Sequence, residues 1–168
     1  YARILERIGG NRGSVLEIGC GWGGFTEAAV QQGHDVTALT ISPRQHAYAT
    51  ERVGKAADIK LQDYRKQGGT FSSIVSIEMF EAVGREYWGS YFRTLSSKLK
   101  PGGRAGLVLP DGTLFGEGVK TRIKEALLTE CNLHTIVRLP NGVFNPYTGI
   151  RTNLLFFTKG APTTDVWY

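Results

Sequence analysis

The stretch Glu17-Ile18-Gly19-Cys20-Gly21-Trp22-Gly23-Gly24 constrains the fold more than any other part of this sequence. It closes the short apolar run Ser14–Cys20, which reads as a strand, and opens Phe25–Gln32, which reads as a helix. Gly19, Gly21 and Gly24 satisfy the spacing G-x-G-x-x-G at that strand-to-helix turn. Only Trp22 is bulky, and a tight turn alone does not need so many small residues. Glycines let the backbone come close to a ligand, so the turn is read as a binding element, with a purely structural turn as the alternative. A nicotinamide site wants an acid about 20 residues on, at the end of the second strand, to hold a ribose. That strand ends Leu39-Thr40-Ile41-Ser42, without one. Glu17 itself sits inside the first strand, where a carboxylate is costly to bury unless backbone amides or a ligand satisfy it.

Strand-like and helix-like stretches alternate along the chain. Strands are predicted at Ser14–Cys20, Asp35–Ser42, Asp58–Gln62, Phe71–Ile77, Arg104–Leu109, His134–Leu139 and Asn153–Thr158. Helices are predicted at Tyr1–Ile8, Phe25–Gln32, Pro43–Gly54, Arg85–Leu99 and Val119–Cys131. Ser42 and Pro43 have the chemistry of an N-cap and first helical residue, and Lys100-Pro101-Gly102-Gly103 that of a helix stop. The alternation predicts an α/β fold, a doubly wound and mostly parallel sheet with helices on both faces. The last two strands have no crossover helix between them, so they are expected to pair antiparallel as a C-terminal hairpin. No linker or repeat divides the chain, and one domain over 1–168 is expected.

Apolar residues make up 41% of the chain, and no apolar run approaches membrane-spanning length, so a soluble globular domain is expected. Tyr1, Arg3, Glu6 and Arg7 open the sequence without the apolar core of a signal peptide, and a cytoplasmic setting follows as the expectation. The net charge of +5 is spread over scattered Lys and Arg, which reads as a generally basic surface. Cys20 and Cys131 have no metal-ligand spacing and read as small buried thiols. His34, His46 and His134 are too dispersed for a metal site or a nucleophilic triad, and no metal is expected.

The pattern E-x-G-x-G-x-G resembles the first motif of S-adenosylmethionine (SAM) methyltransferases. The likeness extends to VLEIGCGWGGFTEAA, VTALTISPRQHAYA, the QDYR segment and SIVSIEMFEAVGREYW. Over residues 14–106 the chain resembles the cyclopropane-fatty-acid synthase family. That resemblance implies a Rossmann-like class I SAM methyltransferase fold. It also implies SAM, or S-adenosylhomocysteine, held by Glu17, Gly19, Cys20, Gly21, Gly23, Thr40, Ile41, Ser42, Gln45, Asp63 and Tyr64. Read by chemistry, Asp63 accepts from the adenine amino group and Tyr64 stacks on the ring; a helix cap is the alternative for Asp63. The resemblance further implies that Glu81, in the loop after strand four, helps hold a bicarbonate base as the catalytic carboxylate.

From residue 107 to 168, VLPDGTLFGEG, LLTECNLHTIVRLPNGVF and PYTGIRTNLLFFTKG resemble a second family, the modification subunit of type I restriction–modification systems, an adenine-N6 DNA methyltransferase. A deliberate chimera, with its crossover between Leu99 and Pro110, is the expectation. Neither family's chemistry is complete. The lipid-contacting segments of the first family are missing or replaced. The Asn-Pro-Pro-aromatic tetrad with which the second grips a flipped adenine has SIEMFE in its place, and Asn145-Pro146-Tyr147 falls in the last loop, as turn chemistry. The resulting reading is a SAM-binding methyltransferase fold with lost or weak methyl transfer, and with neither a lipid nor a DNA substrate supported. An active lipid or small-molecule methyltransferase using Glu81 and a folding module without ligand are the alternatives.

Overall fold

The computed structural model describes residues 1–9, 13–114, 119–143, 145 and 149–168, and only the backbone of Glu81, Leu114 and Val119. In chain order the elements are α1 (Ala2–Ile8), β1 (Ser14–Ile18), α2 (Gly24–Gln31), β2 (Asp35–Thr40), α3 (Pro43–Val53), β3 (Asp58–Leu61) and β4 (Phe71–Ser76). They continue with α4 (Trp88–Lys98), β5 (Leu99–Pro110), α5 (Asp111–Leu114), α6 (Val119–Glu130), β6 (Cys131–Arg138) and β7 (Thr152–Lys159). The strands form one seven-stranded sheet in the order β3-β2-β1-β4-β5-β7-β6. Strands β1 to β5 pair parallel, while β7 runs antiparallel to both neighbours, β5 and β6. The α/β class, the parallel sheet and the antiparallel C-terminal pair are therefore as the sequence implied. What the sequence did not reveal is that β7 inserts between β5 and β6 and leaves β6 at the edge.

Alternation of side chains divides the apolar residues between two faces. On one face Leu16, Ile18, Ile74, Leu107, Leu109, Leu155 and Phe157 pack against Tyr91 and Leu95 of α4 and Ile123 and Leu127 of α6. On the other, Val15, Val36, Ala38, Val75, Val108, Leu154 and Phe156 pack against Ile4, Leu5 and Ile8 of α1 and Phe25 and Ala29 of α2. Helix α3 buries only Ala49. Its start is fixed as its sequence predicts, by Pro43 in the first turn and the Ser42 hydroxyl accepting from the Gln45 amide at 3.4 Å.

Two boundaries differ from expectation. Strand β5 begins at Leu99 rather than Arg104, because Lys100-Pro101-Gly102-Gly103 forms a bulge within the strand. Phe71 pairs with Leu99 and Ser73 already pairs with Arg104, with Gly102 at φ +73° inside the irregularity. Strand β6 begins at Cys131 rather than His134, because Cys131 and Leu133 both point into the core and extend the period-two pattern backwards. In addition, the predicted helix over Arg85–Leu99 starts as a 3-10 turn at Arg85–Tyr87 and becomes α-helical at Trp88.

The C-terminal third is tied to the rest by backbone and side chain together. Residues 104–110 of β5 pair with 158–152 of β7 without a break. The Lys159 ammonium donates to the carbonyls of Ser96 at 2.6 Å and Leu99 at 3.0 Å, closing the end of α4. Leu155, opposite Leu107 and fully buried, sits at the centre of this junction. Leu155→Ala should lower unfolding free energy by about 2–5 kcal/mol, measured as a drop in urea midpoint with unchanged slope.

Candidate active site

The carboxyl ends of the parallel strands open into a cavity of about 430 Å³, the position where open α/β sheets bind their ligands. Ile18 and Gly19 form its wall at the end of β1, Leu39, Thr40, Ile41 and Gln45 after β2, and Gln62, Asp63, Tyr64 and Arg65 after β3. Met79, Ala82, Val83, Gly84 and Tyr87 close it from the segment after β4. Of the predicted cofactor residues, Gly19, Thr40, Ile41, Gln45, Asp63 and Tyr64 are thus brought together. Glu17, Cys20, Gly21, Gly23 and Ser42 do not line the cavity.

Glu17 is the clearest case. It is 2% exposed and points away from the cavity, toward the start of α2, where its carboxylate accepts from the Thr26 hydroxyl. Burial pushes its pKa from 4.5 up to about 8, a rise that hydrogen bonds from Thr26 only partly oppose. The sequence implied a backbone amide or a ligand as partner; Thr26, nine residues on, supplies both a backbone amide and a side-chain hydroxyl. Cys20 lies next to it, buried, with its thiol pushed up to about 12 by burial and by the Glu17 charge, so it is unreactive.

Two glycines of the turn have separate steric reasons. Gly19 has φ +80°, and a Cβ there would lie 2.6 Å from Cγ and 2.7 Å from Cβ of Met79. The end of β1 and the segment after β4 therefore touch only because position 19 has no side chain. Gly23 has φ +78°, and a Cβ there would meet Cα and Cβ of Ala49 at 3.3 and 3.1 Å. It lets α2 and α3 pack closely, which is a packing role rather than a place on the cavity wall. Ser42 is likewise occupied in capping α3.

After β2, the Thr40 hydroxyl donates to Gln45 Oε1 at 2.9 Å and accepts from the Ser42 amide at 3.2 Å. This network holds Gln45 against the cavity. After β3, Asp63 Oδ1 accepts from the Arg65 amide at 2.9 Å, and its carboxylate takes the Arg65 guanidinium, with Nη2 to Oδ2 at 2.5 Å. The cap reading of Asp63 is therefore what the structure shows, and Arg65 holds the carboxyl below its ordinary value. Arg65 was missed from sequence, although its place two residues after Asp63 in a turn was the available signal. Tyr64 stacks edge-on against Tyr91 with centroids 5.6 Å apart.

The segment after β4 is held by aromatic packing. Phe80 is 1% exposed and lies 5.0, 5.2 and 5.7 Å from the rings of Trp88, Tyr91 and Phe92. The Trp88 indole donates to the Val83 carbonyl at 3.0 Å. Glu78 adopts φ +54°, the one non-glycine residue in the left-handed region among the described residues, and turns the chain out of β4. Glu81 belongs to the 3-10 turn Phe80–Ala82 that this packing fixes, but its side chain lies outside the described residues. So do Pro146 and Tyr147, while Asn145 sits in a turn, its amide donating to the Gly142 carbonyl at 3.1 Å. No group of three or more His, Cys, Asp or Glu side chains that could hold a metal is found among the described residues, nor a helix long and apolar enough to cross a membrane.

A polar cluster beyond β5 escaped the sequence reading. Asp111 receives the Arg138 guanidinium at 2.5 Å and the Asn153 amide at 2.8 Å, pinning the ends of β5, β6 and β7 together. Its members are far apart in the chain, and nothing local announces it.

Two family models match the chain. Mycolic acid cyclopropane synthetase matches residues 1–119, and N-6 DNA methylase matches residues 76–168. The type I restriction enzyme EcoEI methylase subunit of Escherichia coli is 67% identical over 88 residues, covering 52% of this chain and 18% of that protein. Tuberculostearic acid methyltransferase UfaA1 of Mycobacterium tuberculosis is 41% identical over 107 residues, covering 60% of this chain and 25% of that protein. The chain thus spans a quarter or less of the length of these relatives. Among solved structures, a modification subunit of a putative type I restriction enzyme from Vibrio vulnificus aligns with TM-score 0.77 at 28% identity, covering 93% of this chain and 42% of that one. The N-methyltransferase NodS of Bradyrhizobium japonicum, solved with S-adenosyl-L-homocysteine, aligns with TM-score 0.74 at 19% identity, covering 94% and 84%, and shares the fold.

The buried carboxyl and the glycine each lead to a measurement. A carboxyl that binds its proton more tightly folded than unfolded stabilises the fold fully below its unfolded value, near 4.5, and loses that contribution as pH rises through about 8. Stability should therefore fall across this window, by up to about 1.4 kcal/mol per pH unit. Glu17→Gln should flatten the slope, as read from urea unfolding at a series of pH values. Gly19→Ala should cost about 1–3 kcal/mol through its strained φ and the clash with Met79, seen as a lower thermal midpoint.

Proposed function

The chain belongs to the mycolic acid cyclopropane synthetase family over residues 1–119 and to the N-6 DNA methylase family over residues 76–168, and on that premise we propose that it is a SAM-binding protein of the class I methyltransferase fold in which methyl transfer is lost or weak. The observation that carries this reading is the single cavity shared by Gly19, Thr40, Gln45, Asp63 and Tyr64, which come from three separate strand ends. Gly19, on the cavity wall beside Met79, offers backbone to the amino-acid half. Tyr64 offers a ring to the adenine, and Asp63 offers a carboxylate to its amino group once Arg65 yields one oxygen. Thr40 and Gln45 offer hydroxyl and amide groups to the ribose. When bound, SAM supplies a methyl group on a sulfonium, open to in-line attack by a nucleophile. Glu17 supports the site from below and does not reach it.

The acceptor side is where the reading departs from an active enzyme. The loop after β4 lies where both family models match, and its sequence is Ser76-Ile77-Glu78-Met79-Phe80-Glu81 rather than the tetrad by which the second family grips adenine. Residues 120–168 are matched by the second family's model alone, in place of the lipid-contacting segments that the first family's resemblance implies. We read the junction as a deliberate joining of fragments, supported by two family models that match residues 1–119 and 76–168, and by relatives of the two kinds that are 67% and 41% identical over overlapping stretches of the chain. That both parts share one sheet supports a single domain over 1–168.

Calorimetry with S-adenosylhomocysteine tests the binding claim: saturable binding is expected, weakened about tenfold or more by Tyr64→Ala through loss of one stacking contact. No heat at millimolar ligand would leave only the folding-module reading. Transfer is tested by incubation with methyl-labelled SAM and either unsaturated phospholipid or DNA, with little or no labelled product expected. Phospholipid product that disappears in Glu81→Gln would establish the active lipid methyltransferase instead.

A further inference from the structure

At the other end of the sheet from the cavity, a second cleft of about 580 Å³ is lined by Glu6, Arg7, Arg104, His134 and Thr158. The register explains why these residues meet. Arg104 pairs with Thr158 across β5 and β7, so both side chains stand on one face of the sheet. It is the face on which Gly106, two residues on, lies against Ile4 and Ile8 of α1. Helix α1 carries Arg7 in its last turn. Gly9, just past the end of α1, lies beside the Arg104 guanidinium, with Nη1 3.7 Å from where a Cβ on Gly9 would stand. His134 is the residue passed over by the register shift between Leu133 and Thr135, and such a bulge re-aims its side chain.

The cleft carries unmatched positive charge. Glu6, the only acid among its described lining residues, is bonded to Arg3 at 3.3 Å. Neither Arg7 nor Arg104 takes part in an ion pair among the described residues. His134 registers that field: its pKa is held below the ordinary value first by burial and then by the charges of Arg7 and Arg104. An anion entering here would meet two guanidinium groups, whose planar forks suit tetrahedral oxyanions, together with a hydroxyl and an imidazole.

We propose that this cleft is a binding site for a phosphate-class oxyanion, with Arg7 and Arg104 as charged donors and Thr158 and His134 as neutral ones. The site belongs to the joined chain and to neither family alone. Arg7 lies in the part matched only by the cyclopropane synthetase model, and His134 and Thr158 lie in the part matched only by the N-6 DNA methylase model. It also does not depend on what the first cavity binds.

The test uses the whole chain titrated with inorganic phosphate and, separately, with glycerol 3-phosphate, against sodium chloride at matched ionic strength. Phosphorus NMR line broadening reports contact, and the thermal midpoint reports affinity. A saturable rise of about 3–6 °C is expected at about ten times Kd. Arg7→Gln and Arg104→Gln should each weaken binding about tenfold or more. Tighter binding of the free anion or of the monoester identifies which source of phosphate the cleft suits, and either supports the site. Arg7 is exposed on α1, so its variant keeps the test valid if Arg104→Gln unfolds. An equal midpoint rise in chloride, no broadening with either probe, or unchanged affinity in Arg7→Gln overturns the proposal.

Discussion

The ladder between β5 and β7 is the contact on which this molecule depends. It runs unbroken from Arg104 opposite Thr158 to Pro110 opposite Thr152. Without it the parallel half, β3-β2-β1-β4-β5, would end in an open edge, and β6 and β7 would form an isolated hairpin, which is at best marginal in water. The ladder also sets the two cores. Leu107 and Leu155 face α4 and α6 across one side, while Val108 and Leu154 face α1 across the other. Because β5 falls where both family models overlap, the residues on either side of the junction meet through backbone hydrogen bonds that are indifferent to side-chain identity. That indifference is a physical reason why segments of two families share one sheet. Lys159, reaching the carbonyls of Ser96 in α4 and Leu99 at the start of β5, adds the side-chain contact that closes the same boundary.

The glycine turn shows how one short stretch divides its duties. Gly19 faces the cavity and the segment after β4, Gly23 faces α3, and Glu17 faces α2. A buried carboxyl with its pKa near 8 is a cost to the fold at neutral pH. Its position at the base of the turn, bonded to the first turn of α2 through Thr26, gives that cost a use. It fixes where the helix starts relative to the strand, and so where Gly19 stands. The proposed cofactor half of the site is thus braced from behind, by Glu17, and from the side, by the Phe80 aromatic cluster under the segment after β4.

How much of the fold is legible in the sequence follows from the range of each interaction. Period-two and helical patterns located every strand and the five longer helices, because burial on one face is written into consecutive residues. The Ser42-Pro43 cap was legible for the same reason, its partner being three residues away. Boundaries failed where a tertiary contact overrode the local signal. Lys100-Pro101-Gly102-Gly103 reads as a helix stop, yet pairing with β4 on both sides draws it into β5 as a bulge. Asp63 was legible both as a ligand group and as a cap, and the nearby Arg65 gives the cap its strength.

By itself the sequence determined the α/β alternation, the turn after β1 and the identity of the two families, since each rests on residues adjacent in the chain. Only the tertiary structure decided which turn residues face the cavity, that Glu17 is answered by Thr26, and that β7 enters between β5 and β6. It alone also brought Arg7, Arg104, His134 and Thr158 to one cleft. Strand order, register and the facing of buried side chains are set by contacts between distant segments. In the turn Glu17–Gly24, such contacts separate residues that form the cavity wall from residues that hold the wall in place.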